Sequence, residues 1–510
     1  MSQAIPSKFV SLVPTNGTEF AVNLGQKVIF ELQPSLGLIK GRDSYLVLDI
    51  LNNSSDNQRL MLGSTAGADS IINRVDIYSL RTGQHLETLQ NYNQISGLAN
   101  QYLFEDKTNL QALQGCGEKL FAQEDNGAGA ARDCINSCAN VNNNLISPIN
   151  TSAELVANFR RYTVPLKAGI FRYWDEERLC NVMGLQGLRI ELTLENPKES
   201  CFQMSAEKGD GSLVKLSDGV EFQDLAGASF NLRTKVADAF TVNKLGLAVG
   251  NNITVSSNVA DLNTTINAIA DVGGGEIQIT LAAQQAISNG ITVKIAQDNR
   301  ALKVRPEFRV LSVAPPQSLI SEMGKGFNYE FTSYDHFVDN IPANARKHLI
   351  ELNSVASRAV CVMSQFSSVN DLEGQESSSY YCGEAPAQSN LDSVVYFLKS
   401  RLVPVRPYNP KVLVEKVVAL NELVKTWNAI NRESKDLGNF DGANGDHYTN
   451  TFVIGRQLAR QPYYYDLGNA EGQIRLGFSA ARGFDMLADT YVWSRKIVSV
   501  SESGGVNVIL

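Results

Sequence analysis

The sequence predicts an all-β protein built from two antiparallel β-sandwiches in tandem. Short segments with apolar residues at every second position recur along most of the 510 residues. Clusters rich in Gly, Asn and Ser separate these segments, as turns and loops do. The second half of the chain repeats the style of the first without any short-period repeat, which argues against a solenoid.

Residues 70–92 predict a β-hairpin in the first half. Val75 and Ile77 point to one face of its first strand, and the polar residues between and beside them point to the other: Arg74, Asp76 and Tyr78. This alternation is typical of an antiparallel strand with one wet face. Gly83 supplies the turn. The segment "TEFAVNLGQKVIFELQPS" alternates in the same way, with Gly25 as an expected bulge, and "GLRIELTLE" is an equally regular strand.

The chain divides near Pro315-Pro316, which predicts domains at 1–316 and 317–510. The first domain contains a separate β-module at about 238–298, where short β-segments alternate with Asn-Asn, Gly-Gly-Gly and Asn-Gly. The second contains one clear helix at about 410–431, with Asn409 as its cap and Pro410 in its first turn. Its expected buried stripe is Leu413, Val417, Leu420, Val424 and Trp427.

Bulk properties exclude several classes of protein. The net charge of -8 and the pI of about 5.3 argue against a surface that neutralises phosphates. The N-terminus has no apolar core of a secretory signal, and no run of about 18 apolar residues predicts a membrane span. The seven cysteines are scattered and odd in number, so we expect reduced thiols in an intracellular assembly compartment.

The order of the segments resembles one family, the double jelly-roll major capsid proteins of icosahedral double-stranded DNA viruses. "GADSIINRVDIYSLRTGQHLETLQNY", "YTVPLKAGIF", "GLRIELTLE" and "RPEFRVLSVAPP" resemble strands of the first jelly roll. "LIELNSVASRAVCVM", "RLVPVRPYNP" and "FVIGRQLA" follow in the order of the second. The lineage includes adenovirus hexon and the large eukaryotic DNA viruses, and the chain looks most like polinton-like virus and virophage capsid proteins.

The resemblance implies two eight-stranded jelly rolls and a structural protein that is not an enzyme. Three chains would form a pseudo-hexagonal homotrimeric capsomer, and capsomers would tile an icosahedral shell around a double-stranded DNA genome. The implied partners are neighbouring trimers, penton proteins and minor or cement proteins, without direct sequence-specific binding of nucleic acid. The implied location is the virion, assembled inside the host cell, and an internal membrane or scaffold is left open. The 238–298 module would decorate the outer surface.

Two other functions remain open at this point. A carbohydrate-binding β-sandwich, such as an attachment or fibre protein, would have similar strands and would bind a glycan as an isolated domain. A glycan-active enzyme is less favoured, because no pair of carboxylates stands out in the sequence.

The sequence contains no convincing catalytic, cofactor or metal site. Ser479 in "GFSAARG" lacks the second glycine of a nucleophile elbow. His85 and Glu87 form an H-x-E without the P-C-x-x-C of zinc deaminases. Cys134 and Cys138 could bind a metal with Cys116, but no histidine lies nearby, and an exposed loop with free thiols is the preferred interpretation.

Two further groups have a possible binding role. Asp436, Asp441 and Asp446 lie in a Gly-rich loop that could bind calcium, although the EF-hand spacing and its closing Glu are missing. The run Tyr463–Tyr465 could stack sugars or bases, but we expect it to fill an interface or the edge of a sandwich. The remaining histidines are expected to be packing or surface residues: His336, His348 and His447.

Overall fold

The residues that the computed structural model describes include 29 strands and several helices. It describes residues 7–53, 59–62, 66–103, 113–115, 145–146, 159–175, 179–204, 220–226, 229–233, 252–255, 262–273, 276–281, 292–293, 301–323, 325–352, 354–368, 391–399, 401–410, 412–430, 432, 453–459, 463–468, 472–481 and 485–509.

The strands are numbered along the chain. They are β1 (Ser7–Leu12), β2 (Phe20–Ala21), β3 (Lys27–Leu32), β4 (Leu38–Ile39), β5 (Tyr45–Asn52), β6 (Arg59–Leu62), β7 (Ile72–Ser79), β8 (His85–Leu89), β9 (Leu145–Ile146), β10 (Phe159–Pro165), β11 (Cys180–Asn181), β12 (Leu188–Leu194), β13 (Cys201–Met204), β14 (Val220–Ala226), β15 (Ser229–Arg233), β16 (Asn252–Val255), β17 (Leu262–Gly273), β18 (Glu276–Leu281), β19 (Thr292–Val293), β20 (Leu302–Val313), β21 (Phe327–Ile341), β22 (Lys347–Glu351), β23 (Ala359–Ser368), β24 (Leu391–Leu398), β25 (Arg401–Tyr408), β26 (Val453–Gln457), β27 (Gly472–Phe478), β28 (Met486–Val500) and β29 (Val506–Ile509).

Two sets of eight strands share one pattern of antiparallel pairing. In the first set, which we call roll 1, β1, β20, β5 and β10 pair in that order, and β3, β12, β7 and β8 form the facing sheet. In roll 2, the corresponding orders are β21, β28, β23, β26 and β22, β27, β24, β25. When the eight strands of each roll are counted in chain order, the first pairs with the eighth, the second with the seventh, the third with the sixth and the fourth with the fifth. This wrapping is that of a jelly roll.

The strands form where side chains alternate between a core and a wet face. In β12, Leu188 and Ile190 are fully buried, while Arg189 between them is exposed. Glu191 is also buried, but it is paired with Lys27 at 2.7 Å and with Arg189 at 2.6 Å. The predicted strand segments of both halves are confirmed. Gly25 has a φ of 86° in the turn between β2 and β3 and does not form the expected bulge.

The inserted β-module is a six-stranded sheet with the order β16-β17-β18-β15-β14-β19. It begins at Val220, earlier than the predicted start at 238, because β14 and β15 pair with strands of the module and not with roll 1. Its first and last strands pair with each other, Val220 opposite Val293. The chain therefore enters and leaves the module at adjacent points.

The described residues include four α-helices: α1 (Tyr92–Leu103), α2 (Pro197–Ser200), α3 (Gln317–Met323) and α4 (Leu413–Ala429). Three short 3-10 helices lie at Pro34–Leu36, Gly41–Asp43 and Ala68–Ile71. In each roll a long helix follows strand five: α1 follows β8, and α4 follows β25. The sequence predicted only the second of these.

Helix α4 corrects two details of its prediction. It begins after Val412 without a side-chain cap, and the Asn409 N–H instead donates to the Glu415 carboxylate. The predicted stripe was also wrong, because Val417 is exposed and Leu420 and Val424 are only half-buried. The buried residues are Ala419, Leu423, Thr426, Ala429 and Ile430, together with Trp427 of the predicted stripe.

Gly455 of β26 explains which face of α4 is buried. A Cβ at this glycine would lie 2.7 Å from Thr426 Oγ1 and 2.9 Å from Leu423 Cδ1. The small residue lets the helix approach the strand closely, and Thr426 fits there better than a larger apolar side chain.

Candidate functional site

The most elaborate constellation among the described residues is the buried junction between the two rolls. Alternate residues of β28 face opposite ways: Val492 lies in the core of roll 2, while Tyr491 and Trp493 belong to the apolar cluster of roll 1. The Trp493 ring lies 4.7 Å from the Trp174 ring of roll 1 and 5.0 Å from the Tyr334 ring. All four of these aromatic side chains are fully buried, so the core of roll 1 is continuous with the outer face of roll 2.

Glu87 of β8 is a carboxylate that ties this junction together. Its two oxygens accept backbone N–H bonds from Gly169 and Ile170, both at 2.9 Å. Ser333 of roll 2 donates its hydroxyl to the same carboxylate at 2.6 Å. Burial raises the pKa of Glu87, and the hydrogen bonds oppose that rise. One side chain therefore fixes the hairpin, the loop after β10 and the first strand of roll 2 relative to one another.

Asp175 makes a second buried link between the rolls. It accepts the backbone N–H of Thr332 at 3.1 Å and the Thr332 hydroxyl at 2.6 Å. Arg495 of β28 pairs with the same carboxylate, and Arg172 lies 3.6 Å from it. The Asp175 carboxylate therefore has the additional hydrogen bonds that a buried charge requires.

The first residues of α1 form a third link. Asn91 Nδ2 lies 3.0 Å from Asp489 Oδ1 and 3.1 Å from His336 Nε2. His336 Nε2 and Asp489 Oδ1 are 2.8 Å apart, within roll 2. Tyr491 donates its hydroxyl to Gln94 Oε1 at 2.9 Å. This part of β21 and β28 therefore covers the N-terminal end of α1.

A buried ion pair stabilises roll 1 beside the junction. Lys167 Nζ lies 2.5 Å from Asp69 Oδ2 and 2.6 Å from Ser96 Oγ, and both charged side chains are 0% exposed. The group joins the 3-10 helix at Ala68–Ile71, α1 and the loop after β10. Its geometry fixes the position of α1 in the roll.

The predicted H-x-E does not form a site, because its two side chains point to opposite faces of the hairpin. The pairing shifts so that Glu87 faces Ile77 while His85 faces the adjacent Tyr78. His85 is exposed and lies 2.6 Å from Thr88 Oγ1 and 3.7 Å from Asp76 Oδ1. Burial raises the pKa of Asp76, but the nearby His85 imidazole and hydrogen bonds from Arg74 and Thr88 outweigh it and lower the pKa to about 2.

The other candidates lie apart from the junction. Ser479 is exposed, and its carbonyl accepts a bond from Arg346 at 2.5 Å. Of the tyrosine run, Tyr465 is buried and Tyr464 half-buried at the edge of roll 2, as predicted, and Tyr463 is exposed. His348 is half-buried in β22. Seven residues named in the sequence analysis lie outside the described residues: Cys116, Cys134, Cys138, Asp436, Asp441, Asp446 and His447.

The part of the chain that the structure describes contains neither a metal-binding cluster nor a membrane-spanning helix. No group of three or more His, Cys, Asp or Glu side chains there is arranged to hold a metal ion. No helix among those residues is long and apolar enough to cross a membrane. The described cysteines are Cys180, Cys201 and Cys361, which are buried and form no disulfide among the described residues. Burial raises the pKa of Cys180 to about 12, which makes this thiol unreactive.

The fold defined by these strands and this junction is a double jelly roll, as the sequence resemblance predicted. The solved structure of PBCV-1 VP54, fitted into a reconstruction of the virophage Sputnik, matches 100% of this chain and 98% of its own with a TM-score of 0.52 and 11% identity. A quasi-atomic model of the PBCV-1 virus capsid matches over the same shares with a TM-score of 0.50 and 11% identity. The Faustovirus major capsid protein matches 97% of this chain and 90% of its own with a TM-score of 0.50 and 10% identity.

The likeness lies in structure and not in sequence. No protein family matches the chain by sequence, and no curated protein matches it either. At 10–11% identity, the solved structures show a shared fold alone.

Proposed function

We propose that this chain is a viral major capsid protein that forms homotrimeric, pseudo-hexagonal capsomers in an icosahedral shell. The supporting observation is the full-length likeness to capsid structures, with both rolls present and their order kept. The junction adds a physical reason. A shell subunit must hold its two rolls in one fixed orientation, and three buried polar links with a continuous aromatic core do so.

The proposal assigns no catalysis to the chain. The buried carboxylates Glu87 and Asp175 are fully engaged in hydrogen bonds between elements, and bonds of this kind fix structure. The virion is the proposed location, and the proposed partners are neighbouring trimers together with penton and minor capsid proteins. The acidic net charge of -8 supports a role in which other components contact the genome.

The proposed domain boundary lies at Pro316. The main sheets of roll 1 end with β20 at Val313, and those of roll 2 begin with β21 at Phe327. Helix α3 lies between them. The rolls are therefore separate in strand pairing although their cores are in contact.

The native mass of the purified protein tests the proposed function. Three chains of 55.7 kDa each give about 167 kDa, and negative-stain images should show particles with a hexagonal outline. A monomer at every concentration would contradict the proposal. Glycan binding by the monomer would then favour the attachment-protein alternative.

A further inference from the structure

The two long helices occupy the same topological position but have different surroundings. Helix α1 follows strand five of roll 1, and α4 follows strand five of roll 2. The described side chains of α1 are all buried. Helix α4 is buried on one face only.

Roll 2 covers α1 with its first and last strands. Tyr491 of β28 donates to Gln94 of α1 at 2.9 Å, and Tyr334 of β21 donates to the carbonyl of Gln90 at 3.0 Å, immediately before the helix. Both tyrosines project from the outer face of their sheet, away from the core of roll 2. A helix of one roll is thus sealed by the outer face of the next roll.

The outer face of α4 is apolar and exposed at its N-terminal end, and polar further along, where Asn421, Lys425 and Asn428 are exposed. Val417 and Val418 are 51% and 41% exposed, and Val412 just before the helix is 46% exposed. Trp427, on the opposite face, lies 6.3 Å from the Tyr102 ring of α1. The buried face of α4 therefore already contacts roll 1 of its own chain, and the exposed patch lies on the other side of the helix.

Roll 1 has a matching outer face. Its β1 and β20 correspond to β21 and β28 of roll 2, and within the described residues β1 pairs only with β20. Val10 packs against the core, so Phe9 points outward, where it is 57% exposed. The Phe9 ring lies 6.2 Å from the Tyr45 ring. Phe9 is thus an exposed aromatic side chain on an edge strand, beside the half-buried Tyr45 of β5, and such a surface is suited to contact with another chain.

We propose that the exposed face of α4 docks on the outer face of β1 and β20 in a second copy of this chain. This contact between two chains would be equivalent to the contact in which roll 2 covers α1 within one chain. It is heterologous, since the α4 patch of one copy meets the Phe9 patch of the next, and such contacts close into a ring when the rotation allows it. This inference rests on the proposed capsomer and names the surfaces that would form it.

The test measures native mass against concentration for two patch variants. Val417→Asp with Val418→Asp places charge in the α4 patch, and Phe9→Asp does so in the β1 patch. Each variant should need at least about tenfold more protein to assemble than the unaltered chain, because substitutions in a desolvated contact cost more than 1 kcal/mol. Leu24→Asp, at a residue 67% exposed in a turn, is the matched control and should assemble normally.

Mixing the two patch variants tests the direction of the contact. The mixture retains one intact pairing of an α4 patch with a Phe9 patch, so it should give a dimer of about 111 kDa, twice 55.7 kDa. No dimer from the mixture, or patch variants that assemble as well as the unaltered chain, would overturn the inference while leaving the proposed function intact. An unaltered chain that stays monomeric would remove both.

Circular dichroism must show that each variant is folded. If the aspartate pair does not fold, Val417→Ser with Val418→Ser should weaken assembly in the same direction. A folded serine pair with unchanged assembly would equally overturn the inference.

Discussion

At the scale of the residue, one carboxylate carries much of the contact between the rolls. Glu87 accepts from two backbone N–H groups of roll 1 and from Ser333 of roll 2. Both backbone donors are buried with it, so water cannot replace the lost acceptor if the side chain changes.

We expect Glu87→Gln to destabilise the protein by about 1–3 kcal/mol, because the amide has one acceptor oxygen and its NH2 group would face a buried N–H. The measurement is the free energy of unfolding in urea. Glu322→Gln, at an exposed position of α3, is the control and should change little. Equal stability of the two variants would show that Glu87 does not hold the junction.

Asp76 gives a prediction about pH. Its pKa falls from 3.8 to about 2 in the folded protein, so folding favours its charged form. The stabilisation is present above about pH 4 and is lost as the pH falls towards 2, and it amounts to about 1–2 kcal/mol. Asp76→Asn should therefore lower the free energy of unfolding at pH 6 and should show less further loss between pH 4 and pH 2. A loss parallel to that of the unaltered chain would contradict the assignment.

The sequence predicts which of these residues are buried better than it predicts the partners of the buried polar ones. The burial of Val75 and Ile77 follows from alternation within one strand, and the structure confirms it. The role of Glu87 does not follow, because its partners lie 82 to 246 residues away. The hydrogen-bond partners of Asp175 and Lys167 are also distant in the sequence. Local patterns show which side of a strand is wet, but they do not show which distant donor a buried carboxylate meets.

At the scale of the element, strands were easier to predict than helices. Alternation with period two identifies both strands of the hairpin directly. Helix α1 has the sequence YNQISGLANQYL, in which Gly and two Asn lower the helix propensity. Because the described residues of α1 are buried, the helix also lacks the exposed polar face by which an amphipathic helix is recognised in a sequence. Helix α4 was found, but its buried face is set by the close approach at Gly455, which is not local information.

The inserted module supports a prediction at this scale. Because Val220 and Val293 are paired neighbours, a short Gly-Ser linker can replace residues 220–293 without stretching roll 1. We expect this deletion to leave the native mass per particle at three shortened chains, as a surface decoration should. The measurement is native mass spectrometry of the purified variant, with the unaltered chain as reference.

A variant without residues 220–293 that fails to fold would contradict the assignment of the module to the surface. Loss of the β-sheet signal in circular dichroism, together with aggregation, would place the module in the core of roll 1. A deletion from Glu276 to Leu281 alone is a useful comparison, since it removes the central strand β18 and leaves one edge of β15 and one edge of β17 unpaired. This smaller deletion should be more harmful than the complete one.

At the scale of the whole molecule, the junction makes the two rolls one mechanical unit. One apolar cluster includes the core of roll 1 together with Tyr334, Tyr491 and Trp493 of roll 2. Separation of the rolls would expose these rings and leave the carboxylates of Glu87 and Asp175 without their partners. Burial of large aromatic side chains stabilises by several kcal/mol, so neither roll is expected to keep its fold well alone.

The resulting prediction is a single unfolding transition for both rolls. All three tryptophans are fully buried at or near the junction: Trp174, Trp427 and Trp493. Their fluorescence therefore reports on the junction, whereas circular dichroism reports on the strands of both rolls. The two signals should change at the same temperature, and Trp493→Ala should lower that temperature through a loss of about 3–5 kcal/mol. A fluorescence change that precedes the loss of strands would mean that the rolls separate before they unfold. The junction would then not hold the two rolls in one fixed orientation.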